Sequence, residues 1–252
     1  MIEATNLRKS FGAVTALEGV DFTARDGEVT GLIGPNGAGK TTALRILYTV
    51  MQPDSGSAII DGFDTVRDRQ QVQRSIGVVP DSRGLYPRLT AREHVRYFGR
   101  LHGMSGADLE SRIDELERLL GMREFMDRRA KGFSKGQMRK VAMARAMVHR
   151  PRNLLLDEPT NGLDVASSRA VHALIRELRD AGHCVLFCSH IMQEVASISD
   201  RIIVILKGRV AADGKPEDLL RDTGAANIEE MLLALMGDDY LGEWGGDDLH
   251  VA

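Results

Sequence analysis

The segment Gly34-Pro35-Asn36-Gly37-Ala38-Gly39-Lys40-Thr41 constrains this chain more than any other feature. It fits the pattern G-x-x-x-x-G-K-[ST]. Glu28-Val29-Thr30-Gly31-Leu32-Ile33 ahead of it reads as a strand, and Thr41 to Tyr48 behind it reads as a short helix. In that context successive backbone N–H groups turn inward around an anion, and the glycines supply the positive φ values and close approach this needs. The helix N-terminus adds favourable partial charge. Lys40 is therefore expected at the β- and γ-phosphates of a nucleoside triphosphate, and Thr41 at Mg²⁺. Thr42, next along the helix, completes the expected phosphate contacts.

Strand-like and helix-like segments alternate on both sides of the loop, which predicts an α/β fold with a largely parallel sheet. Further strands are expected at Ala58-Ile59-Ile60, Ile76-Gly77-Val78-Val79, Asn153-Leu154-Leu155-Leu156-Asp157, around Cys184, and at Arg201 to Leu206, with a hairpin at Lys207-Gly208. From about 85 to 150 the pattern turns helical. Thr90 and Glu93 fit a capping box, and Leu109 to Leu120 carries apolar residues at helical spacing, closed by Gly121. Asp164 is placed to cap a helix that Gly182 stops. After Arg221 there is no Lys or Arg; a short helix, Ile228 to Met236, leads to a tail with Asp238, Asp239, Glu243, Asp247 and Asp248, expected to be solvated and mobile.

Two acids end an apolar strand. Asp157 would sit at the strand's C-terminal edge, where α/β sheets place ligands, and suits a magnesium site. Glu158 projects differently and suits a general base toward an attacking water, a role worth roughly 10²–10⁴-fold in rate.

Composition narrows the class. A formal charge of -3 over 252 residues gives no support to a nucleic-acid partner. Apolar runs such as Ile202 to Leu206 fall far short of the ~20 residues a bilayer span needs. Met1-Ile2-Glu3-Ala4 opens a strand-like run rather than a secretory signal. A chain working at the cytoplasmic face, free or held to a membrane through a partner, is the expectation. Cys184 and Cys188 share a strand face with Leu186 and His190. A metal site there is conceivable, and small buried thiols are the common alternative.

Gly132-Phe133-Ser134-Lys135-Gly136-Gln137 lies upstream of the Asp157-Glu158 strand, which continues into Pro159-Thr160, Asn161-Gly162-Leu163-Asp164 and an isolated Ser189-His190. In this order, after the phosphate loop, the set resembles the ATP-binding subunits of ABC transporters over about residues 1–220. The resemblance implies a P-loop NTPase core of RecA-like type, with an antiparallel β subdomain and an inserted α-helical subdomain. It implies an ATPase domain over 1–222 and a C-terminal helix and tail over 223–252. It implies ATP with Mg²⁺, hydrolysis using Glu158, His190 and Lys40, and adenine stacking on Phe11, for which core packing is the rival reading. Ser134, Gly136 and Gln137 would complete the ATP site of a second copy, so the implied partners are another ATPase subunit and a membrane-spanning permease. Ser134 and Gln137 also fit a capping box. Lys135 stands where the family usually has glycine, either facing solvent or adding charge near that phosphate.

Asp81 departs from the family, which normally has glutamine after the strand ending at Val79-Pro80. It is expected to join Asp157 and Thr41 at the metal, with Arg83 or Arg88 offsetting its charge. Leu85-Tyr86-Pro87-Arg88-Leu89-Thr90 and Tyr97 to Gly103 resemble the ABC-2 exporter branch. Leu47 to Val50, Asp61 to Asp64 and Asp81 are most similar to ATPase subunits of bacterial sodium-export systems. An importer ATPase and a channel-free ABC ATPase, such as one for iron–sulfur assembly, remain the alternatives.

Overall fold

The computed structural model describes residues 1–81 and 84–244. Among these, strands form two sheets. β1 (Ile2–Phe11), β2 (Val14–Ala24), β4 (Ser55–Ile60) and β5 (Phe63–Asp64) make an antiparallel sheet in the order β2-β1-β4-β5. The larger sheet has the order β10-β9-β3-β8-β7-β6, built from β3 (Val29–Ile33), β6 (Ile76–Val79), β7 (Asn153–Asp157), β8 (Cys184–Cys188), β9 (Arg201–Leu206) and β10 (Arg209–Gly214). Its strands run parallel except β10, which returns from β9 through Lys207 and Gly208, both at positive φ. A two-residue turn with both φ positive matches the right-handed twist of a hairpin.

The parallel strands are buried on both faces, and alternation sorts their side chains between two cores. Leu154, Leu156, Val185, Phe187, Ile202 and Val204 face the helical side. Leu155, Cys184, Leu186, Cys188, Ile203 and Ile205 face the antiparallel sheet, with α1 (Lys40–Leu47) between. The β6–β7 connection carries the expected helical lobe: α3 (Ala91–Leu101), α4 (Gly106–Leu119) and α5 (Lys135–Met147). Thr90 caps α3 through a reciprocal bond with Glu93, and Gly121 takes a φ of 57° after α4. Arg112 of α4 donates to the carbonyls of Met147 and Val148 at 2.8 and 3.3 Å, tying α4 to the end of α5. His102, after α3, stacks on His149, after α5, with centroids 3.6 Å apart. Burial holds His149 down to about 4, so its ring is neutral near pH 7.

The remaining helices are α2 (Arg69–Ser75), α6 (Val165–Asp180), α7 (Met192–Ile198), α8 (Pro216–Thr223) and α9 (Ile228–Trp244). Gly237 interrupts α9 at a φ of 68°. The expected mobile segment over 223–252 is packed along part of its length: Ile228 and Met231 are buried in the helical-side core, because apolar residues one turn apart face α7 and α8. The end of the expected acidic tail, 245–252, lies outside the described residues, as do the side chains of Asp238, Asp239 and Glu243.

Candidate active site

The C-terminal ends of β3, β6, β7 and β8 open onto one edge of the parallel sheet, where loops can carry ligands clear of the core. The glycine loop leaves β3 and enters α1 through Gly39, whose φ is 112°. A Cβ on Gly39 would lie 2.4 Å from the Ala16 carbonyl, and one on Gly34 would lie 2.1 Å from that of Ile205. Both positions therefore require glycine on grounds of space as well as φ. No side chain caps α1 and its first turn holds no acid, which leaves its N–H groups for an incoming anion. Lys40 folds back over the loop, its Nζ donating to Gly34 O at 2.6 Å and Pro35 O at 2.9 Å. Burial lowers its pKa, opposed by nearby Cys188, Glu158 and Asp157.

Lys40 and Thr41 also line a polar cavity of about 530 Å³ with Asp81, Asp157, Glu158, Asn161, His190, Arg45 and Tyr48. Ala16 and residues 36–42 line a smaller hollow of about 150 Å³ over the loop, which brings Gly37, Ala38, Gly39 and Thr42 to the same region. Asp157 is buried at the end of β7. Burial raises its pKa, and the negative charges of Asp81 and Glu158 raise it further against Arg45 and Lys40. Glu158 has a φ of 48°, a left-handed conformation that costs a non-glycine residue about 1–3 kcal/mol. Its N–H donates to Cys188 O at 3.0 Å, its carbonyl accepts from Asn161 N–H at 3.2 Å, and its Oε2 lies 2.8 Å from His190 Nδ1. The turn thus aims a carboxylate along a different direction from Asp157 and pairs it with an imidazole.

His190 leaves β8 toward Glu158, so it does not join the two thiols as the even spacing suggested. Cys184 and Cys188 stay buried, and burial pushes Cys184 up to about 12. Phe11 is 48% exposed at the tip of the β1–β2 hairpin, with the Lys9 ammonium 5.8 Å from its ring centroid. That exposure overturns the core-packing reading. Phe11 lines neither cavity, and β2 runs on from the hairpin to Ala16 above the loop.

Asp81 faces the cavity, with Asn161 Nδ2 3.4 Å from its Oδ1. One of its two expected counter-charges is placed elsewhere. Arg88 lines a separate groove with Tyr86, Pro87, Leu89 and Tyr97, and Arg83 lies outside the described residues. Among the described residues, the cation sharing Asp81's cavity besides Lys40 is Arg45. Arg45 and Tyr48 lie four and seven residues beyond Thr41, so they follow it on one helix face. That spacing was the available signal for both.

Ser134, Gly136 and Gln137 are not brought to this cavity. Ser134 caps α5, accepting from Gln137 N–H at 3.1 Å while Gln137 Oε1 accepts from Ser134 N–H at 3.0 Å. Ser134 and Lys135 are exposed. Asp164 caps α6 by accepting from Ser167. Among the described residues no group of three or more His, Cys, Asp or Glu is arranged to hold a metal ion. A divalent ion at Thr41 and Asp157 would therefore need phosphate oxygens to complete its shell. That is how Mg²⁺ is commonly held, by one or two carboxylates plus substrate phosphates, and the hydroxyl, carboxylates and open loop present here fit it.

A phosphate cradle, a lysine, and paired acids at the strand ends define a nucleoside-triphosphate hydrolase. A sequence profile described as "ABC transporter" matches residues 17–161. The chain is 41% identical over 239 residues to the ABC transporter ATP-binding protein NatA of Bacillus subtilis (strain 168), covering 93% of this chain and 97% of that protein. It is 35% identical to Nod factor export ATP-binding protein I of Paraburkholderia xenovorans (strain LB400), covering 91% and 76%. Its fold matches a dimeric post-hydrolysis state of the ATP-binding cassette MJ0796 bound to ADP and Pi, with a TM-score of 0.77, 29% identity and coverage of 85% and 98%. The chain belongs to the ABC transporter ATP-binding family: it is an ATP-binding subunit and an ATPase.

The raised pKa of Asp157 carries a stability prediction. Its folded form binds a proton more tightly than the unfolded chain does. The associated stability is fully present below the ordinary carboxylate pKa and is lost as pH rises through the raised value. At neutral pH, Asp157→Asn should therefore raise the Tm of nucleotide-free protein in EDTA, with the gain shrinking as pH falls toward the ordinary carboxylate range. A lower Tm for the variant at neutral pH would count against this charge balance.

Proposed function

We propose that this chain powers export through a separate membrane-spanning subunit, by ATP-driven closure of two ATPase subunits around two nucleotides. The convergence of Lys40, Thr41, Asp157, Glu158 and His190 on one cavity carries the reading. The loop from Gly34 to Gly39 offers N–H groups to the phosphates, with Pro35, Asn36 and Ala38 setting its path and Thr42 following in α1. Lys40 gives up its carbonyl contacts and balances the β- and γ-phosphate charge. Thr41 and Asp157, with Asp81 nearby, would hold Mg²⁺, which when bound neutralises charge on the phosphate oxygens. Glu158 accepts a proton from the attacking water as its oxygen bonds the γ-phosphorus and the bond to the β-phosphate oxygen breaks. His190 keeps the Glu158 carboxylate in place. Phe11, exposed on its hairpin, is available to stack on adenine.

Ser134, Gly136 and Gln137 sit at an exposed helix N-terminus away from Lys40, so their phosphate contact is made to the nucleotide of a second subunit. The dimeric relative bound to ADP and Pi supports that arrangement, and a second copy of this chain is the proposed partner. Among the described residues no helix is long and apolar enough to cross a membrane, so the chain would act from the cytoplasmic face through its permease. Tyr86, Tyr97 and Leu101 leave an apolar surface open on the helical lobe, 52%, 45% and 63% exposed. Apolar patches of this kind mark interaction sites, and Tyr86 lies five residues beyond Asp81, so a permease contact here would bear on the cavity. Export is supported by the Nod factor export relative. Sodium is the cargo suggested by the resemblance at Leu47 to Val50, Asp61 to Asp64 and Asp81.

Two experiments follow. Glu158→Gln should keep ATP affinity, lose roughly 10²–10⁴-fold in turnover and accumulate an ATP-bound dimer in size-exclusion chromatography. A variant hydrolysing at the normal rate would remove Glu158 as the base. The double variant Tyr86→Ala/Tyr97→Ala should keep the ATPase rate of the isolated chain and fail to co-purify with the multi-span membrane subunit that the unaltered chain retains. Equal recovery of that subunit would place the docking surface elsewhere.

A further inference from the structure

Arg139 is wholly buried in the first half of α5, an unusual place for a guanidinium. Its Nη2 donates to the Glu158 carbonyl at 2.8 Å and its Nη1 to the Pro80 carbonyl at 3.4 Å. Each carbonyl belongs to a residue at the cavity. Pro80 immediately precedes Asp81, and Glu158 is the left-handed residue at the end of β7. Asn161 closes the ring, its N–H donating to the same Glu158 carbonyl and its side chain reaching Asp81. The backbone of Glu158 is thus held on one side by Cys188 of β8 and on the other by a side chain from the helical lobe.

Arg139 does not line the cavity; what it holds there, through its donors, is the backbone of Glu158 and of Pro80. It lies five residues beyond Ser134, the exposed cap of the same helix, about 7.5 Å along its axis at 1.5 Å per residue. A single hydrogen-bonded helix moves as a unit over that distance. Any shift of Ser134 when α5 meets a partner's nucleotide is therefore carried by Arg139 to the backbone of this chain's own Glu158 and to the residue before Asp81. We infer that Arg139 is a positioning residue: it props the left-handed turn that aims Glu158, and it makes that aim depend on engagement of Ser134 at the other ATP. The inference rests on the reading of Glu158 as base and of Ser134 as a contact to the second nucleotide. It adds a physical connection by which each ATP site reports on its neighbour.

The test uses the full chain carrying Arg139→Met, which keeps most of the buried volume without the donors, beside Glu158→Gln. Folding is checked by Tm, ATP affinity by equilibrium binding, and turnover at saturating ATP. Because misplacing a catalytic group by ~1 Å costs about 10²-fold, Arg139→Met should lose about 100-fold in kcat with ATP affinity unchanged, and should accumulate the ATP-bound dimer as Glu158→Gln does. Arg139→Lys keeps a buried cation but cannot span both carbonyls. It carries the same measurements if the Met variant fails to fold, with an expected loss of about tenfold. A folded Arg139 variant with the unaltered kcat overturns the inference, and so does a parallel loss of ATP affinity, kcat and Tm, which is the mark of a purely structural residue. Glu158→Gln separates the two levels. A trapped Glu158→Gln dimer with an untouched Arg139→Met rate sinks only the relay, whereas normal turnover by Glu158→Gln overturns the reading on which it rests.

Discussion

The structure depends on an unfavourable concentration of charge. Asp81, Asp157 and Glu158 are held around one cavity at the end of a parallel sheet, and among the described residues the cations sharing it are Lys40 and Arg45. Burial of Asp157, and then the like charges beside it, resist its ionisation, and its raised pKa expresses both. The surrounding fold sustains it. Strands buried on both faces fix where β6, β7 and β8 end, and the cores on either side hold them there. An empty site built this way is less stable than an apolar one, and it gains stability from what binds it.

The same geometry explains why one chain is only part of a machine. Binding a nucleotide drives no motion unless it favours one of two states. The phosphate loop and the acids lie in one cavity, while the Ser134 helix start lies exposed elsewhere. In the proposed mechanism, closure of two chains on two nucleotides would supply the second state, and the helical lobe is where it would be transmitted. Arg112, the His102–His149 stack and Arg139 tie α3, α4 and α5 to one another and to the strand ends. Tyr86 and Tyr97 leave the lobe's outer surface exposed, where the proposed membrane-spanning partner would dock.

Much of this was legible in the sequence because the chemistry is carried by local patterns. Strand, glycine loop and helix occur consecutively, so Gly34 to Thr41 could be read without tertiary information. Asp157 and Glu158 terminate an apolar run, and Ser134 with Gln137 forms a capping box within four residues. What escaped depends on contacts distant in the chain. Arg139 reaches Glu158 and Pro80 across 19 and 59 residues, and nothing at position 139 marks it as more than a surface arginine of a helix. Arg45 carried a spacing signal, but which face of α1 meets the cavity follows only once β7 is placed. Arg88 looked suited to balance Asp81 by sequence proximity, yet it lines the separate outer groove with Tyr86, Pro87, Leu89 and Tyr97. Ile228 and Met231 pack for a similar reason: their partners lie on α7 and α8, outside any local pattern.

The central claim is that a working ATP site is shared between two chains, with the loop of one facing the Ser134 helix of the other. Cross-linking tests it most directly. Cys184 and Cys188 are buried, so introduced thiols can be read selectively. In a Glu158→Gln chain carrying Asn36→Cys and Lys135→Cys, a short bismaleimide should join two chains when ATP and Mg²⁺ are present, and far less with ADP. Failure to cross-link with ATP, or the same yield without nucleotide, would contradict the shared site.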